Sequence, residues 1–155
     1  MSPSFNNPIA DQGIRIKTDY HSYFNEYCRR HAPGLPQAGD ADNRPFPRYV
    51  DMWFVAFCLG VRQESRDEYT TGNSKRIIDG SILTGETIKI HLIEMAAIAA
   101  TENDFGVLLD PPRLVRIANE YANGGFPHLL IMLEQENIIP LVGLGRELLN
   151  TLTGD

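Results

Sequence analysis

The fifteen residues "YVDMWFVAFCLGVRQ", Tyr49 to Gln63, are apolar on almost every side. The run is too long for an ordinary buried strand, and its length predicts a helix surrounded by other structure. A chain that contains such a helix must supply enough apolar surface to cover it. With 155 residues, 43% of them apolar, this one can, as one domain. At this size folding hides roughly 68–70% of the surface that the unfolded chain exposes. Asp51, near the start, suits the positive end of the helix dipole. Gly60 costs helix stability and so marks either a close contact or the helix end.

Other segments read as helices on similar grounds. "YHSYFNEYCRRH" sets Tyr20, Phe24, Tyr27 and Cys28 at helical spacing, with Asp19 as cap and Arg29, Arg30 and His31 at the C-terminus. In "DGSILTGETIKIHLIEMAAIAATEND" the N-cap is expected at Thr84 or Thr87. Ile90, Ile93, Ala97 and Ala100 form one stripe, which Leu92, Met95 and Ala96 widen. In "DPPRLVRIANEYANGGFP" Asp110 caps, the prolines fit the first turn, and Gly124-Gly125 is expected to stop the helix. A further helix is predicted in "PHLLIMLEQEN" and a last one in "VGLGRELLNTL", with short extended pieces at "GIRIK" and "NIIPLV". The fold class is therefore mainly α: a compact bundle of about five or six helices with short extended segments. Residues 1–12 read as a flexible tail and 13–155 as the single domain. Within the domain, between the first helix and the apolar run, "APGLPQAGDADNRPFPR" holds four prolines and two glycines and reads as a long connection.

Charge narrows the function. Fourteen basic residues face twenty acidic ones, a net charge of −6. A chain that binds nucleic acid by charge alone is usually basic. If this one meets DNA, it must use a local basic patch, a bound cation or partner subunits. Cys28 and Cys58 have no CxxC partner spacing. Cys58 reads as a small buried hydrophobe, and the arginines beside Cys28 would lower its pKa. No basic-then-apolar leader and no run of about 18 apolar residues occurs, so a cytoplasmic protein that does not span a membrane is expected.

After Val61 the chain turns into opposed charges: Arg62, Glu64, Arg66, Asp67 and Glu68, followed by Lys75 and Arg76. On a continuing helix, Glu64 shares a face with Asp67 or Glu68. Such oxygens suit Mg²⁺, or Mn²⁺ in its place, and the neighbouring Arg62, Arg66, Lys75 and Arg76 would hold phosphates. That is the equipment for metal-assisted phosphodiester cleavage, with Glu64 and Asp67 as catalytic residues and Glu64, Asp67 and Glu68 as metal ligands. The competing reading is a solvated helix end whose charges pair with one another. Three weaker constellations stand beside it. His91 and Glu94 lie one turn apart. "NEYANGGFPH" joins Glu120, Tyr121, Asn123 and His128 around two glycines. "RPFPRY" interleaves Arg44 and Arg48 with aromatic rings, either to grip DNA or to lead stiffly into the helix.

"RPFPRYVDMWFVAFCLGVRQ", "DGSIL", "IHLIEMAAIA" and "DPPRLVRIANEYANGGFPHLL" together resemble small proteins of phage-defence islands that carry DNA phosphorothioate modification, of the Dnd and Ssp types. The resemblance covers about Arg44 to Leu149. It is nearest to the SspB-like nickase, and it implies a Mg²⁺-dependent subunit that cuts one DNA strand so that sulfur can enter. The Dnd type implies the alternative, a helical subunit that holds DNA or an assembly without catalysis. In either case DNA, other subunits of the system and a further copy of the chain are the expected partners.

Overall fold

The computed structural model describes residues 7–30, 39–135 and 139–154. Five α-helices and four short strands lie within them. In chain order they are β1 (Gly13–Lys17), α1 (His21–Tyr27), β2 (Cys28–Arg30), β3 (Phe46–Arg48), α2 (Tyr49–Arg62), β4 (Ser74–Asp79), α3 (Thr87–Ala100), α4 (Pro111–Leu133) and α5 (Pro140–Thr153). β1 pairs antiparallel with β4, with an irregularity between Ile14 and Arg15, and β2 pairs parallel with β3. The fold is mainly α, as the periodicity predicts.

The apolar run is α2, and it packs most extensively against α4. Met52, Trp53, Ala56 and Phe57 are buried along it. Rings tie the helices together: Phe24 of α1 stacks on Phe126 of α4 at 5.5 Å, and Phe57 of α2 meets Tyr121 of α4 edge-on at 6.2 Å, with Trp53 stacked 5.9 Å from Phe57 on the same helix. The two helices come together through glycine. A Cβ on Gly60 would overlap the carbonyl of Tyr121, and one on Gly125 would overlap the carbonyl of Ala56 and the nitrogen of Gly60. Gly60 therefore marks close packing.

Gly124-Gly125 does not end its helix. α4 continues unbroken through both glycines and through Pro127 to Leu133, so the first seven residues of "PHLLIMLEQEN" are its last turns and not a separate helix. Pro127 removes one helical N–H, but Ala122, Phe126, Leu129 and Leu133 are all buried and hold the helix on course. The start follows the sequence signals: Asp110 accepts a hydrogen bond from the Arg113 N–H, and the prolines occupy the first turn.

Other expectations are corrected. α1 stops at Tyr27, and Cys28–Arg30 is a strand, because Cys28 buries completely when it pairs beside Phe46. The arginine that holds the α1 C-terminus is Arg44, which donates to the carbonyls of Asn25 and Cys28. His31 and the first seven residues of the connection after it, 32–38, lie outside the described residues. The N-cap of α3 is Glu86, not Thr84 or Thr87. Leu92 and Met95 do not widen its buried stripe, since both are exposed. Cys58 is exposed rather than buried. Burial pushes the Cys28 thiol up, against the lowering expected from its arginines. Of "NIIPLV", Pro140 to Val142 are helical, and Asn137 and Ile138 lie outside the described residues. β4 has no counterpart among the predicted elements. Of the stretch read as a tail, Asn7 and Ile9 are buried, with Asn7 Nδ2 donating to the Gly80 carbonyl at 2.9 Å.

The glycine contact leads to a direct test. Gly125→Ala is expected to destabilise the fold by about 3 kcal/mol, because two backbones must separate to admit one methyl group. Chemical denaturation should show this as a lower midpoint at an unchanged slope. A loss below about 1 kcal/mol would mean that the α2–α4 contact adjusts easily.

Candidate functional site

The charged knot begins where α2 ends, and backbone geometry decides its shape. The Ser65 N–H donates to the Gly60 carbonyl at 2.9 Å, and the Glu64 N–H donates to the Val61 carbonyl at 3.1 Å. This pair of bonds closes a helix C-terminus with one residue in the left-handed region, a place that glycine usually takes. Here it is Glu64, at φ 51°. The helix therefore does not continue, and the shared face expected for Glu64, Asp67 and Glu68 does not form. Glu64 stays exposed on the turn. Asp67 is tied back to the body: its N–H donates to the Glu120 carbonyl, and its carboxylate takes Lys17 Nζ at 2.7 Å. Glu68 lines a cleft beside Arg66. Among the described residues, no three His, Cys, Asp or Glu side chains gather to hold a metal ion.

Glu120 is the carboxylate that the knot encloses. It is buried, and it meets Arg66 at 2.7 Å and Arg116 at 3.4 Å. Each arginine also lies over a ring, Arg66 over Tyr121 at 5.6 Å and Arg116 over Tyr69 at 5.1 Å. Removing one partner from a buried charge is costly, so this group is a fixed part of the fold.

Beneath it lies a second polar centre, Asn119 with Asn123. The Asn119 amide makes four hydrogen bonds: its oxygen accepts from the Arg15 N–H and Trp53 Nε1, and its nitrogen donates to the Gly13 carbonyl and Tyr69 Oη. Asn123 Oδ1 accepts from the Lys17 N–H at 2.8 Å. One edge of β1 is paired with β4. The other edge is satisfied by these two side chains, one turn apart on α4. β1 thus carries Arg15 and Lys17 to the knot on a rigid support.

The remaining predicted residues divide. Lys75 and Arg76 lie on β4, opposite Ile16 and Arg15 of β1. Arg62 is exposed at the end of α2, on the far side of the turn from Arg66 in sequence. Arg44 is engaged with the end of α1. Arg48 is engaged with Asp51, at 2.8 Å, and with Glu86, which also holds Lys89 at 2.6 Å. Burial alone would raise the Glu86 carboxyl, but hydrogen bonds from Lys89 and Arg48 outweigh it and bring its pKa below the ordinary value. Arg44 and Arg48 therefore organise the chain and do not form a strip beside Arg66. His91 is exposed and Glu94 half-buried on α3, away from any gathered ligand set.

Three residues that sequence reasoning passed over belong here: Arg15, Arg113 and Arg116. With Arg76 they line a cleft of about 490 Å³ between the β1–β4 ribbon and the first turns of α4. Arg113 and Arg116 also line the smaller cleft, about 340 Å³, that holds Arg66, Glu68 and Glu120. The i,i+3 spacing of Arg113 and Arg116 in "PPRLVRIANE" was the available signal. Nothing in the sequence linked it to Arg15, about a hundred positions earlier.

The sequence model of a family described as DNA sulphur modification system-associated protein 4 matches residues 36–140, more than half of the chain. No curated protein and no solved structure matches.

The backbone at Glu64 can be tested directly. Glu64→Gly should stabilise the protein by about 0.5–1 kcal/mol, since glycine takes the left-handed region without the Cβ penalty, partly offset by its freer unfolded chain. Thermal unfolding should move up by roughly 2–4 °C. A downward shift would show that the Glu64 carboxylate makes an interaction that outweighs its backbone strain.

Proposed function

The chain belongs to the family of DNA sulphur modification system-associated protein 4, and on that premise we propose that it is a non-catalytic assembly subunit of a DNA sulphur modification system. The observation that carries this reading is α3. Its inner face buries Ile90, Ile93 and Ala97, yet Ile88, Leu92 and Met95 on the outer face are 76%, 41% and 63% exposed. They stand four and three residues apart, the spacing of a seam that another helix or groove covers. A helix apolar on both faces is normally buried on both. Phe105 and Leu109, just beyond α3, add to the exposed apolar surface. Exposed patches of this kind mark interaction surfaces. The occupant proposed is another subunit of the same system. The acidic chain and the absence of lysine or arginine in the seam argue against an anionic membrane surface.

Co-expression with the other subunits of the system, followed by size-exclusion chromatography, tests the proposal. Wild type should co-elute with at least one of them. Leu92→Glu and Met95→Glu should weaken that association at least tenfold, while leaving thermal stability within about 0.5 kcal/mol, since both side chains are exposed. Elution as a dimer of the chain alone would replace the heterologous partner by a second copy. Elution as a monomer beside every subunit would end the assembly reading.

A second reading, Mg²⁺-dependent nicking of one DNA strand, keeps one observation in its favour. Glu64 holds a left-handed backbone that a non-glycine residue rarely adopts, and such residues concentrate at functional sites. Glu68 lies close by, in the cleft with Arg66 and Arg116. Supercoiled plasmid should be incubated with the protein in Mg²⁺, Mn²⁺ or EDTA, with Glu64→Gln as control. The assembly reading expects plasmid left supercoiled in every condition. Open circle formed only with metal and only by wild type would establish nicking in its place.

A further inference from the structure

The 490 Å³ cleft between β1, β4 and α4 is not accounted for by assembly through α3. Its walls bring Arg15, Arg76, Arg113 and Arg116 together from three separate parts of a chain whose net charge is −6. Arg15 and Arg76 are direct cross-strand partners. Like charges placed opposite one another destabilise a strand pair, so an anion bound between them would relieve the pairing. Asp110 is the one carboxylate in the lining, and it is already engaged in capping α4.

The four guanidinium groups differ in how they are held. Arg15 has no acidic partner among the described residues. Its Nε donates to Ser74 Oγ at 2.9 Å and one terminal nitrogen to the Ser74 carbonyl at 3.0 Å, which fixes the fork and leaves other N–H groups to give. Arg116 is fixed by the Tyr69 carbonyl at 3.1 Å, by the Glu120 carboxylate at 3.4 Å and by the Tyr69 ring. These two are set in place before any ligand arrives. Arg76 pairs with Asp79 and Arg113 with Asp104, and all four of those side chains are about half-exposed or more. Exposed pairs of this sort contribute little, so an incoming anion can take over either arginine at small cost. The result is two preset forks and two exchangeable ones around one cavity, with Thr71 in its wall.

Guanidinium forks match phosphate oxygens in pairs. We propose that this cleft binds a phosphate group of a DNA strand, held mainly by Arg15 and Arg116 and completed by Arg113 and Arg76. That the phosphate comes from DNA rests on the chain's place in a DNA sulphur modification system. That the cleft takes a phosphate anion rests on the arginines alone. It does not depend on α3 or on cleavage.

Two probes separate these parts. Calorimetry with inorganic pyrophosphate reads the anion site. Fluorescence anisotropy with a labelled single-stranded oligonucleotide, carrying either a 5′-phosphate or a 5′-hydroxyl, reads the DNA strand. Both are run at 50 and 200 mM salt. Arg15→Gln and Arg113→Gln should each weaken binding of both probes roughly tenfold or more, the scale of a lost charged hydrogen bond. Each should also lower the salt slope by about one. Arg113 is exposed and, among the described residues, pairs with exposed Asp104, so its variant keeps the test valid if Arg15→Gln unfolds. Arg146→Gln, on exposed α5, should change nothing. A preference for the 5′-phosphate would identify a strand end as the ligand, and equal binding of both strands would identify a backbone phosphate. Binding of pyrophosphate but of neither strand would overturn DNA as the source. Failure to bind any probe at 50 mM salt, or equal binding by wild type and both cleft variants, would overturn the site.

Discussion

The structure depends on the contact of two backbones, α2 against α4, made possible by Gly60, Gly124 and Gly125. The carbonyls of Ala56, Tyr121 and Ser65 occupy the space that a side chain on these glycines would need. Interaxial distance is set by the side chains at the crossing, and here there are none. Closeness has consequences on either side. Trp53 and Phe57 on α2 reach past the crossing to the polar and aromatic residues of α4. The turn after α2 is pressed against the same stretch of α4, so that Asp67 can donate its N–H to the Glu120 carbonyl. A wider crossing would separate Trp53 Nε1 from Asn119, and the knot from Glu120.

Asn119 converts that contact into a support for β1. A strand in a two-stranded sheet leaves one edge of its backbone groups unpaired, and buried groups of that kind cost about 1–3 kcal/mol each. Asn119 and Asn123 supply the missing partners from a helix face. This fixes the register in which Arg15 and Lys17 leave the strand. Lys17 goes to Asp67, and Arg15 goes to Ser74 and the cleft. The basic residues of this face are thus ordered by a polar core below them, not by their own charges.

Where the sequence was legible, one period governed one buried face. α2 was readable because it is apolar all round, β1 because it alternates, and the start of α4 because Asp110 and two prolines act locally. The failures share one cause: local signals whose meaning is set by a distant partner. Gly124-Gly125 reads as a stop until α2 is laid against it, and then it reads as a contact. Arg29 and Arg30 suit a helix end until Cys28 finds Phe46. Glu64, Asp67 and Glu68 share a face only if the helix runs on, and the turn that prevents this forms through backbone bonds to Gly60 and Val61. Leu92 and Met95 fit a buried stripe by spacing, yet spacing does not say whether this chain or another covers them. Of the residues predicted for DNA, Arg66 and Arg76 lie at the two clefts, whereas Arg44 and Arg48 hold helix ends. Arg15, Arg113 and Arg116 escaped because no short window contains them.

Charge shows why the net balance of the chain said so little about its surface. Glu120 is buried between Arg66 and Arg116, and exchanging it for a ligand would leave a carboxylate unpaired in a dry site, a loss of about 3–5 kcal/mol by comparison with other buried pairs. Asp79 and Asp104 are exposed, and giving up either pairing costs little. Arg66 and Arg116, which hold Glu120, are therefore committed to the fold, whereas Arg76 and Arg113 of the larger cleft are on loan to solvent-exposed partners. Two neighbouring clefts with the same residue type in their walls differ in what they can accept. The difference arises from burial of the counter-charge, which neither composition nor spacing records.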